Sequence, residues 1–301
     1  MKPRRTGRLQ RATAGLAVTA TLLAALHGGP ATARQQAPTL PPDWQQLPST
    51  GLDAGVSHGG HLWHVGGDGS AWRWEDAARR WTRHGSRSDF VRIDGAAGGG
   101  AAAIGSNGSL YVTDGVGAWR NTGIRAEDVG IGGGRIWLAE AVLPDGSRGL
   151  LTAPFDPSAS MAWTALRDRV KRIDVDASGR VWAVDGTGAL FVHADGRWIA
   201  DAGAPAASDV GVGGKGSVYV VGTEQDETLG GGRLWWRAPD TGAWSALKGR
   251  LAAVTASADD RPYGVNSLGW VLAGLGVSPD VRLAAAPGSG TEPAEAEEPA
   301  A

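Results

Sequence analysis

Short apolar runs and glycine-rich turns alternate along this chain in a phrase that returns six times. Each phrase opens on one of six tryptophans, spaced 35 to 46 residues apart: Trp44, Trp81, Trp119, Trp163, Trp198 and Trp244. A period near 40 residues with this texture of strands and turns is typical of β-propeller blades. The pattern predicts an all-β protein, a six-bladed β-propeller with four-stranded blades.

The innermost strand of each predicted blade is a run in which small and apolar residues alternate with glycine or aspartate. The six runs are Leu52–His58, Val91–Ala97, Ala126–Gly132, Lys171–Ala177, Ala207–Gly213 and Leu251–Ser257. Small side chains suit strands that crowd around a central channel, so we expect these runs next to the axis.

The second strand of each repeat carries an aromatic residue at one recurring position. Five repeats keep it, as Trp63, Trp137, Trp182, Tyr219 and Tyr263, and the second repeat has Ala102 or Ala103 instead. Hairpin turns such as Asp68-Gly69 and Asp185-Gly186 follow. A third strand and an edge strand at the next recurring tryptophan complete each predicted blade.

The first edge strand precedes every inner strand, while the last third strand, Trp270–Ala273, has no successor. We therefore expect Asp43–Leu47 to pair with it and to close the ring, which removes exposed sheet edges. Two repeats are longer than the others, around Leu143–Ser160 and Thr223–Gly232. These insertions are predicted to form loops, because strands that lengthen lose their register.

The two ends of the chain differ from the repeats. Residues 1–33 resemble a secretory signal peptide, with five basic residues, an apolar run over Ala14–Leu26 and a small-residue cleavage site at Ala31–Ala33. A membrane anchor is the alternative, and Arg4-Arg5 leaves twin-arginine export open. Residues 34–42 are a predicted linker. Residues 278–301 are rich in Pro, Ala and Glu and are predicted to be a disordered acidic tail. The propeller is thus expected over residues 43–277.

The amino-acid composition limits which export forms and which classes of partner are expected. The chain has no cysteine, so an exported form would lack disulfides and could not be a lipoprotein. Removing the signal would change the net charge from −2 to −7, because residues 1–33 carry five basic residues and no acidic one. No basic face is predicted, which argues against a nucleic-acid partner. No other apolar run approaches 18 residues, so no membrane span is expected after processing.

Two repeats carry a recognisable family pattern. The first contains Trp44–Pro48, Gly55–Ser57, Leu62–Val65 and Asp68–Arg73, and the fourth contains Ile173–Val175, Gly179–Val184 and Gly188–Phe191. These phrases resemble tectonin repeats, and the resemblance covers nearly all of 43–277 in six copies. It implies a six-bladed propeller of the tectonin and tachylectin group, which includes secreted lectins as well as scaffolds. The second and sixth repeats depart from the pattern at Ala101–Ala103 and Arg261–Tyr263.

Candidate chemistry is sparse. His58, His61 and His64 have the spacing of metal ligands, but residues 61 and 64 would point to opposite faces of a strand. Aspartates recur in the inner strands, namely Asp53, Asp94, Asp128, Asp174 and Asp209. They could act on a ligand or bond to backbone at strand ends, and their recurrence favours the structural role. No nucleophile or phosphate-loop motif is present. We expect no enzyme, no catalytic residue, no cofactor and no metal.

Residues that break the repeat are the better candidates for ligand binding. Trp74 and Trp236 are large aromatics at positions where other repeats carry different residues, and Arg73 and Arg237 adjoin them. An aromatic face stacks on a sugar ring, and a neighbouring guanidinium bonds its hydroxyls or phosphates. Packing between blades is the alternative role for the two rings.

The sequence predicts a secreted or periplasmic, lectin-like propeller that binds cell-surface glycan or lipopolysaccharide. A propeller scaffold with a protein partner is the first alternative, and a propeller glycan hydrolase or lyase is the second. Fold alone does not choose among these functions.

Overall fold

Antiparallel strands make up nearly all of the computed structural model, which describes residues 43–166, 168–226 and 230–275. Within these ranges the only helical element is a short 3-10 turn at Ala97–Gly99. No helix among them is long and apolar enough to cross a membrane. The predicted signal peptide, linker and acidic tail lie outside the described residues.

The strands follow the six repeats in order. The first three repeats give β1 (Trp44–Val56), β2 (Leu62–Gly66), β3 (Ser70–Glu75), β4 (Arg80–Ser88), β5 (Phe90–Gly95), β6 (Ala101–Gly105), β7 (Ser109–Thr113), β8 (Arg120–Arg125), β9 (Asp128–Gly132), β10 (Arg135–Val142), β11 (Arg148–Pro154) and β12 (Thr164–Leu166). The last three give β13 (Arg172–Val175), β14 (Val181–Val184), β15 (Leu190–Ala194), β16 (Arg197–Ala200), β17 (Ala207–Val212), β18 (Val218–Asp226), β19 (Gly231–Arg237), β20 (Trp244–Leu251), β21 (Ala253–Ala256), β22 (Pro262–Val265) and β23 (Trp270–Gly274).

Four repeats each fold into a separate four-stranded meander. These sheets are β5-β6-β7-β8, β9-β10-β11-β12, β13-β14-β15-β16 and β17-β18-β19-β20. The glycines and aspartates predicted for the inner strands are buried.

The first and last repeats depart from the expectation of six separate four-stranded blades. They share one seven-stranded sheet in the order β21-β22-β23-β1-β2-β3-β4. The cause is β1, whose 13 residues pair at Trp44–Gln46 with β23 and at Gly51–Val56 with β2. The expected pairing of the first edge strand with the last third strand is therefore present. The first edge strand and the first inner strand, however, form one continuous strand, β1.

The inner strands form a closed ring. β1 contacts β5, which contacts β9, and the contacts continue through β13, β17 and β21 back to β1. Radial antiparallel sheets around such a ring are the defining arrangement of a β-propeller. The fold is an all-β propeller.

Six hydrophobic clusters fill the spaces between consecutive inner strands, and each contains one recurring tryptophan. Trp81, Trp119, Trp163, Trp198, Trp244 and Trp44 occupy them in turn. Each indole lies on the outermost strand or, as with Trp119 and Trp163, directly before it, and packs toward the preceding repeat. Trp119 and Trp44 also donate their indole N–H to the carbonyls of His84 and Lys248, at 3.0 and 2.7 Å. The tryptophans recur with the repeat because each one packs between two neighbouring repeats. We call a tryptophan in this position a wedge.

The two insertions are not simple loops. In the third repeat β10 and β11 run on past a register shift between Leu138 and Ala141, and Glu140 takes a φ of +46° there. In the fifth repeat β18 and β19 do the same past a shift between Val221 and Gln225. The expectation that these strands cannot lengthen was wrong, because a β-bulge absorbs the irregularity and lets the hairpin continue beyond it.

Candidate functional site

The inner-strand aspartates join neighbouring repeats. Each accepts a hydrogen bond from a backbone N–H of the next inner strand: Asp53 from Ile93, Asp94 from Ile131, Asp128 from Ile173, Asp174 from Val212 and Asp209 from Val254, at 2.6 to 3.0 Å. At the sixth junction Thr255 Oγ1 accepts from the Val56 N–H at 3.3 Å. A side chain thus bridges every junction of the ring, as the structural interpretation of these aspartates predicts.

Alternate repeats use different positions for this bridge. In the odd repeats the aspartate precedes a glycine by two residues, as in Asp53 and Gly55, while in even repeats Asp94 or Asp174 itself occupies the glycine position. A Cβ on Gly55 would lie 2.4 Å from the Asp94 Cα, and one on Gly211 would lie 2.6 Å from the Thr255 Cα. Glycine is needed there because the next strand approaches too closely for any side chain.

Two arginines neutralise part of this acidic ring. Arg92 lies 3.1 Å from Asp53 and 3.9 Å from Asp128, and Arg172 lies 3.6 Å from Asp209. Burial raises the pKa of Asp174 to about 8 and that of Asp209 to about 7. The space left on the axis is a cavity of only about 20 Å³, enough for roughly one water molecule. The channel centre is therefore a packed polar core with little room for a ligand.

The first predicted ligand pair, Arg73 and Trp74, is separated by the strand that carries it. Consecutive strand residues point to opposite faces. The Arg73 guanidinium lies 5.7 Å from the Trp63 ring centroid, bonds to Glu75, and donates to Gly115 O at 3.0 Å. Trp74 packs on the other face of β3, against Trp81 at 5.0 Å.

The second predicted pair divides in the same way. Trp236 packs in the cluster between β17 and β21 and donates its indole N–H to Ser217 Oγ at 3.0 Å. Arg237 faces the preceding repeat, where it pairs with Asp201 at 2.9 Å and lies 5.4 Å from the Trp182 ring. Neither pair presents a ring and its adjacent guanidinium to one cleft.

The three histidines also lie apart. His58 reaches across the ring to Val175 O, with Nε2 at 2.7 Å, while His61 lies near Gly99. His64 is fully buried beside Trp72 and Trp81. Among the described residues, no group of three or more His, Cys, Asp or Glu side chains is arranged to hold a metal ion.

A cavity of about 370 Å³ opens where the seven-stranded sheet turns from the last repeat into the first. It is lined by Pro48 and Ser49 of β1, Trp72 of β3, and Arg79, Arg80 and Trp81 before and within β4. Ligand sites in proteins commonly have this volume and combine aromatic walls with a few convergent polar groups. We refer to it as the Trp72/Trp81 pocket.

His64 packs behind the two tryptophans, Trp72 and Trp81, that line this pocket. The His64 ring contacts Trp81 at 4.1 Å and lies parallel to Trp72 at 6.4 Å, with an interplanar angle of 17°. The Trp72 indole N–H donates to Ser70 Oγ at 2.7 Å. Both tryptophans are partly buried and neither belongs to the fully buried core.

The basic side of the pocket has no internal partner. Arg79 and Arg80 are exposed, and neither side chain makes a hydrogen bond or ion pair with another described residue. Arg79 also holds a φ of +48°, a conformation that costs a non-glycine residue on the order of 1 kcal/mol. Two arginines that line the pocket therefore have side chains without a partner among the described residues.

Ser49 and His64 meet at the back of the pocket, with His64 Nε2 2.7 Å from Ser49 Oγ. This is the contact expected of a nucleophile and its base. Burial, however, lowers the pKa of His64 to about 3, and its Nδ1 makes no hydrogen bond among the described residues. A base this weak removes a serine proton poorly at neutral pH. The contact is better suited to fixing the Ser49 hydroxyl as a hydrogen-bonding group.

Sequence reasoning did not single out Ser49, Trp72, Arg79, Arg80 or Trp81. Trp72 lies within the repeated pattern Asp68–Arg73, and Trp81 is a recurring tryptophan that packs in the cluster between the last and first repeats. One signal was visible: among the residues before a recurring tryptophan, only the first repeat has two adjacent arginines, at Arg79 and Arg80.

Comparison with known proteins gives limited guidance. No protein-family model matches the chain, and no curated protein does either. The similar solved structures include YCF48 bound to D1 peptide, at 16% identity and a TM-score of 0.48 over 77% of this chain and 82% of that one. A streptogramin B lyase is 10% identical, with a TM-score of 0.48 over 76% of this chain and 96% of the lyase. YCF48 from Cyanidioschyzon merolae is 13% identical, with a TM-score of 0.47 over 77% and 98%. The propeller assignment rests on the strand pairing and the ring of inner strands.

Proposed function

We propose that this protein is an exported, lectin-like propeller of tectonin type that binds a cell-surface saccharide in the Trp72/Trp81 pocket without converting it. The observation that carries the proposal is the pocket itself, which is lined by two tryptophans, one serine and two arginines whose side chains have no partner among the described residues. The CH groups of a sugar ring form an apolar face that stacks on indole, and its hydroxyls bond the polar rim.

The proposal treats the seven-stranded sheet as two blades that share β1, which gives six blades in all. The six hydrophobic clusters and the six bridged junctions of the inner ring support this count. The shared strand explains why the pocket occurs at this junction. Here the chain crosses from one blade to the next through Pro48 and Ser49, with a register shift between Gln46 and Thr50.

Binding without turnover follows from the polar groups in the pocket. The lowered pKa of His64 leaves Ser49 without an effective general base. Of the inner-strand carboxylates, all five bridge strands around a cavity too small for a sugar ring. The groups that face the pocket are suited to hold a ligand rather than to transfer a proton to it.

A glycan and lipopolysaccharide array, probed with the exported protein, tests the proposal. We expect a restricted set of saccharides to bind, and Trp81→Ala to abolish their binding. Trp198→Ala is the matched control, because Trp198 has the same place in the fourth repeat, is also half-buried, and likewise has an indole N–H without a partner among the described residues.

The pair of variants separates binding from packing. Both substitutions remove one wedge and should lower stability to a similar degree, by about 3 kcal/mol. Only Trp81→Ala should lose the saccharide. Equal loss of binding in both variants, or retention in both, would contradict the assignment of the pocket. Binding of a peptide but no saccharide on the arrays would favour the scaffold function instead.

A further inference from the structure

The outer edge of the first repeat is basic, although the chain as a whole is acidic. Between Ala77 and Ser88 the sequence holds four arginines and one histidine and no acidic residue. Arg87 is committed to Asp89 at 2.6 Å and lies 3.9 Å above the Tyr111 ring. Arg79, Arg80 and Arg83 are exposed, and none of them forms an ion pair within 4.0 Å of a carboxylate among the described residues. The Arg83 guanidinium donates to the carbonyls of Ser86 and Arg87 at 3.3 and 3.4 Å. Hydrogen bonds from Ser70 lower the pKa of Asp68, and the Arg83 charge helps to lower it further. We call Arg79, Arg80 and Arg83 the basic strip.

The chain also contains a segment of the opposite charge. Glu292, Glu295, Glu297 and Glu298 lie within seven positions with no basic residue among them. Pro293 interrupts this segment and Pro299 follows it, and neither proline has the N–H group that a paired strand must donate. Contact through side-chain charge therefore suits this segment better than addition to the edge of β4.

We propose that the basic strip is a docking surface for the chain's own acidic segment, residues 292–298. The carboxylates would pair with Arg79, Arg80 and Arg83. Guanidinium and carboxylate form charge-assisted, often bidentate hydrogen bonds, and several such pairs together give a preferred position.

The path from the described end of the chain permits this contact. The Leu275 N–H donates to Asp43 O at 2.6 Å, so the chain leaves the fold beside the start of β1. β23 and β4 belong to the same sheet, in the order β23-β1-β2-β3-β4. The 17 residues from Leu275 to Glu292 can span on the order of 55 Å when extended.

Docking would make the segment an internal competitor. Arg79 and Arg80 line the pocket, so a saccharide that needs them must displace the carboxylates. An anionic saccharide, whether a uronate or a sugar phosphate, would feel this competition most, because it uses the same guanidinium groups. This consequence rests on the proposed function, whereas the docking itself does not.

A distance measurement on the full mature chain tests the docking without any ligand. The chain has no cysteine, so two spin labels can be placed cleanly, one at Ala296→Cys and one at Thr82→Cys on β4. The matched control replaces Thr82→Cys by Ser245→Cys, since Ser245 also follows a recurring tryptophan and is exposed. Low ionic strength is needed, because exposed charges are screened over about 8 Å in 0.15 M salt and over about 30 Å in 0.01 M salt.

We expect a short-distance population for the label at position 82 and none for the label at 245. It should disappear in 1 M salt and on changing Glu292, Glu295, Glu297 and Glu298 to Gln. Arg79→Ala with Arg80→Ala and Arg83→Ala should also remove it. Identical distributions at 82 and 245, or a population that survives the Gln changes, would overturn the proposal. Loss of the population on dilution with unlabelled protein would mean that another molecule's segment occupies the strip, which also overturns it.

Ligand binding supplies the second measurement. If the segment occupies half of the molecules at low salt, the Gln changes should tighten the binding of a uronate or phosphate saccharide about twofold. A neutral saccharide should change less. Unchanged affinity for both anionic saccharides in a protein that binds them would contradict the competition. Absence of saccharide binding alongside a short-distance population would instead refute the proposed function and leave the docking intact.

Discussion

At the scale of single residues, Arg79 has a backbone conformation that favours glycine and a side chain that the proposed site uses. Its φ of +48° belongs to the left-handed region, where the backbone conformational energy of glycine is lower than that of arginine. Its side chain nevertheless lines the pocket without an internal partner. Backbone strain of this kind is tolerated where the side chain is used.

Arg79→Gly relieves a left-handed penalty of about 1–2 kcal/mol and adds a glycine entropy cost of about 0.5–1 kcal/mol, so it should raise the free energy of unfolding by about 0.5–1 kcal/mol and weaken saccharide binding. Arg80→Gly is the matched control, because Arg80 lies in β4 with no positive φ and glycine there should cost about 0.5–1 kcal/mol. Denaturant unfolding and titration of one array ligand would measure both effects. A stabilised Arg79→Gly variant with unchanged affinity would remove Arg79 from the site.

The limits of sequence reasoning are also clearest at this scale. The parity of β3 puts Arg73 and Trp74 on opposite faces, which the alternation rule could have shown from the sequence. The Trp72/Trp81 pocket could not be found that way. Ser49 and Trp81 meet only because the chain crosses between repeats at Pro48, a tertiary fact with no local signal.

At the scale of elements, β1 holds the ring together. Its first part pairs with β23, and Trp44 there is buried between β17 and β21 with its indole N–H bonded to Lys248 O. Its second part is the inner strand of the first repeat. One strand thus joins the start of the described fold to its end.

Trp44→Ala should consequently destabilise the whole fold, by about 3–5 kcal/mol. Gln45→Ala is the matched control in the same strand pairing, because Gln45 is exposed, and its effect should stay within about 0.5 kcal/mol. Chemical unfolding followed by tryptophan fluorescence would compare them. Similar midpoints for the two variants would mean that closure depends little on this end of β1.

The order of strands within each repeat could largely be predicted, because the same sequence pattern occurs six times. The recurring tryptophans marked the edge strands, and the pairing of Trp44–Gln46 with β23 was expected. The count of separate sheets was wrong, since nothing in the sequence marks Leu47–Thr50 as continuous strand instead of a break. The lengthened strands β10 and β18 were missed because their bulges leave no strong periodic signal.

At the scale of the whole molecule, near-equivalent repeats build the ring and one junction carries the proposed site. A side-chain hydrogen bond joins the inner strands at each of the six junctions, and the centre of the ring is packed and polar. The junction crossed by β1 differs from the others, because there Ser49, two partly buried tryptophans and two arginines line one cavity.

A crystal structure of the protein with the strongest array ligand tests this account most directly. The account predicts a sugar ring stacked on Trp72 or Trp81, with its hydroxyl or acidic groups within 2.7–3.2 Å of Ser49, Arg79 or Arg80. A saccharide bound in another cleft or over the central ring, with the Trp72/Trp81 pocket unoccupied by it, would contradict the account.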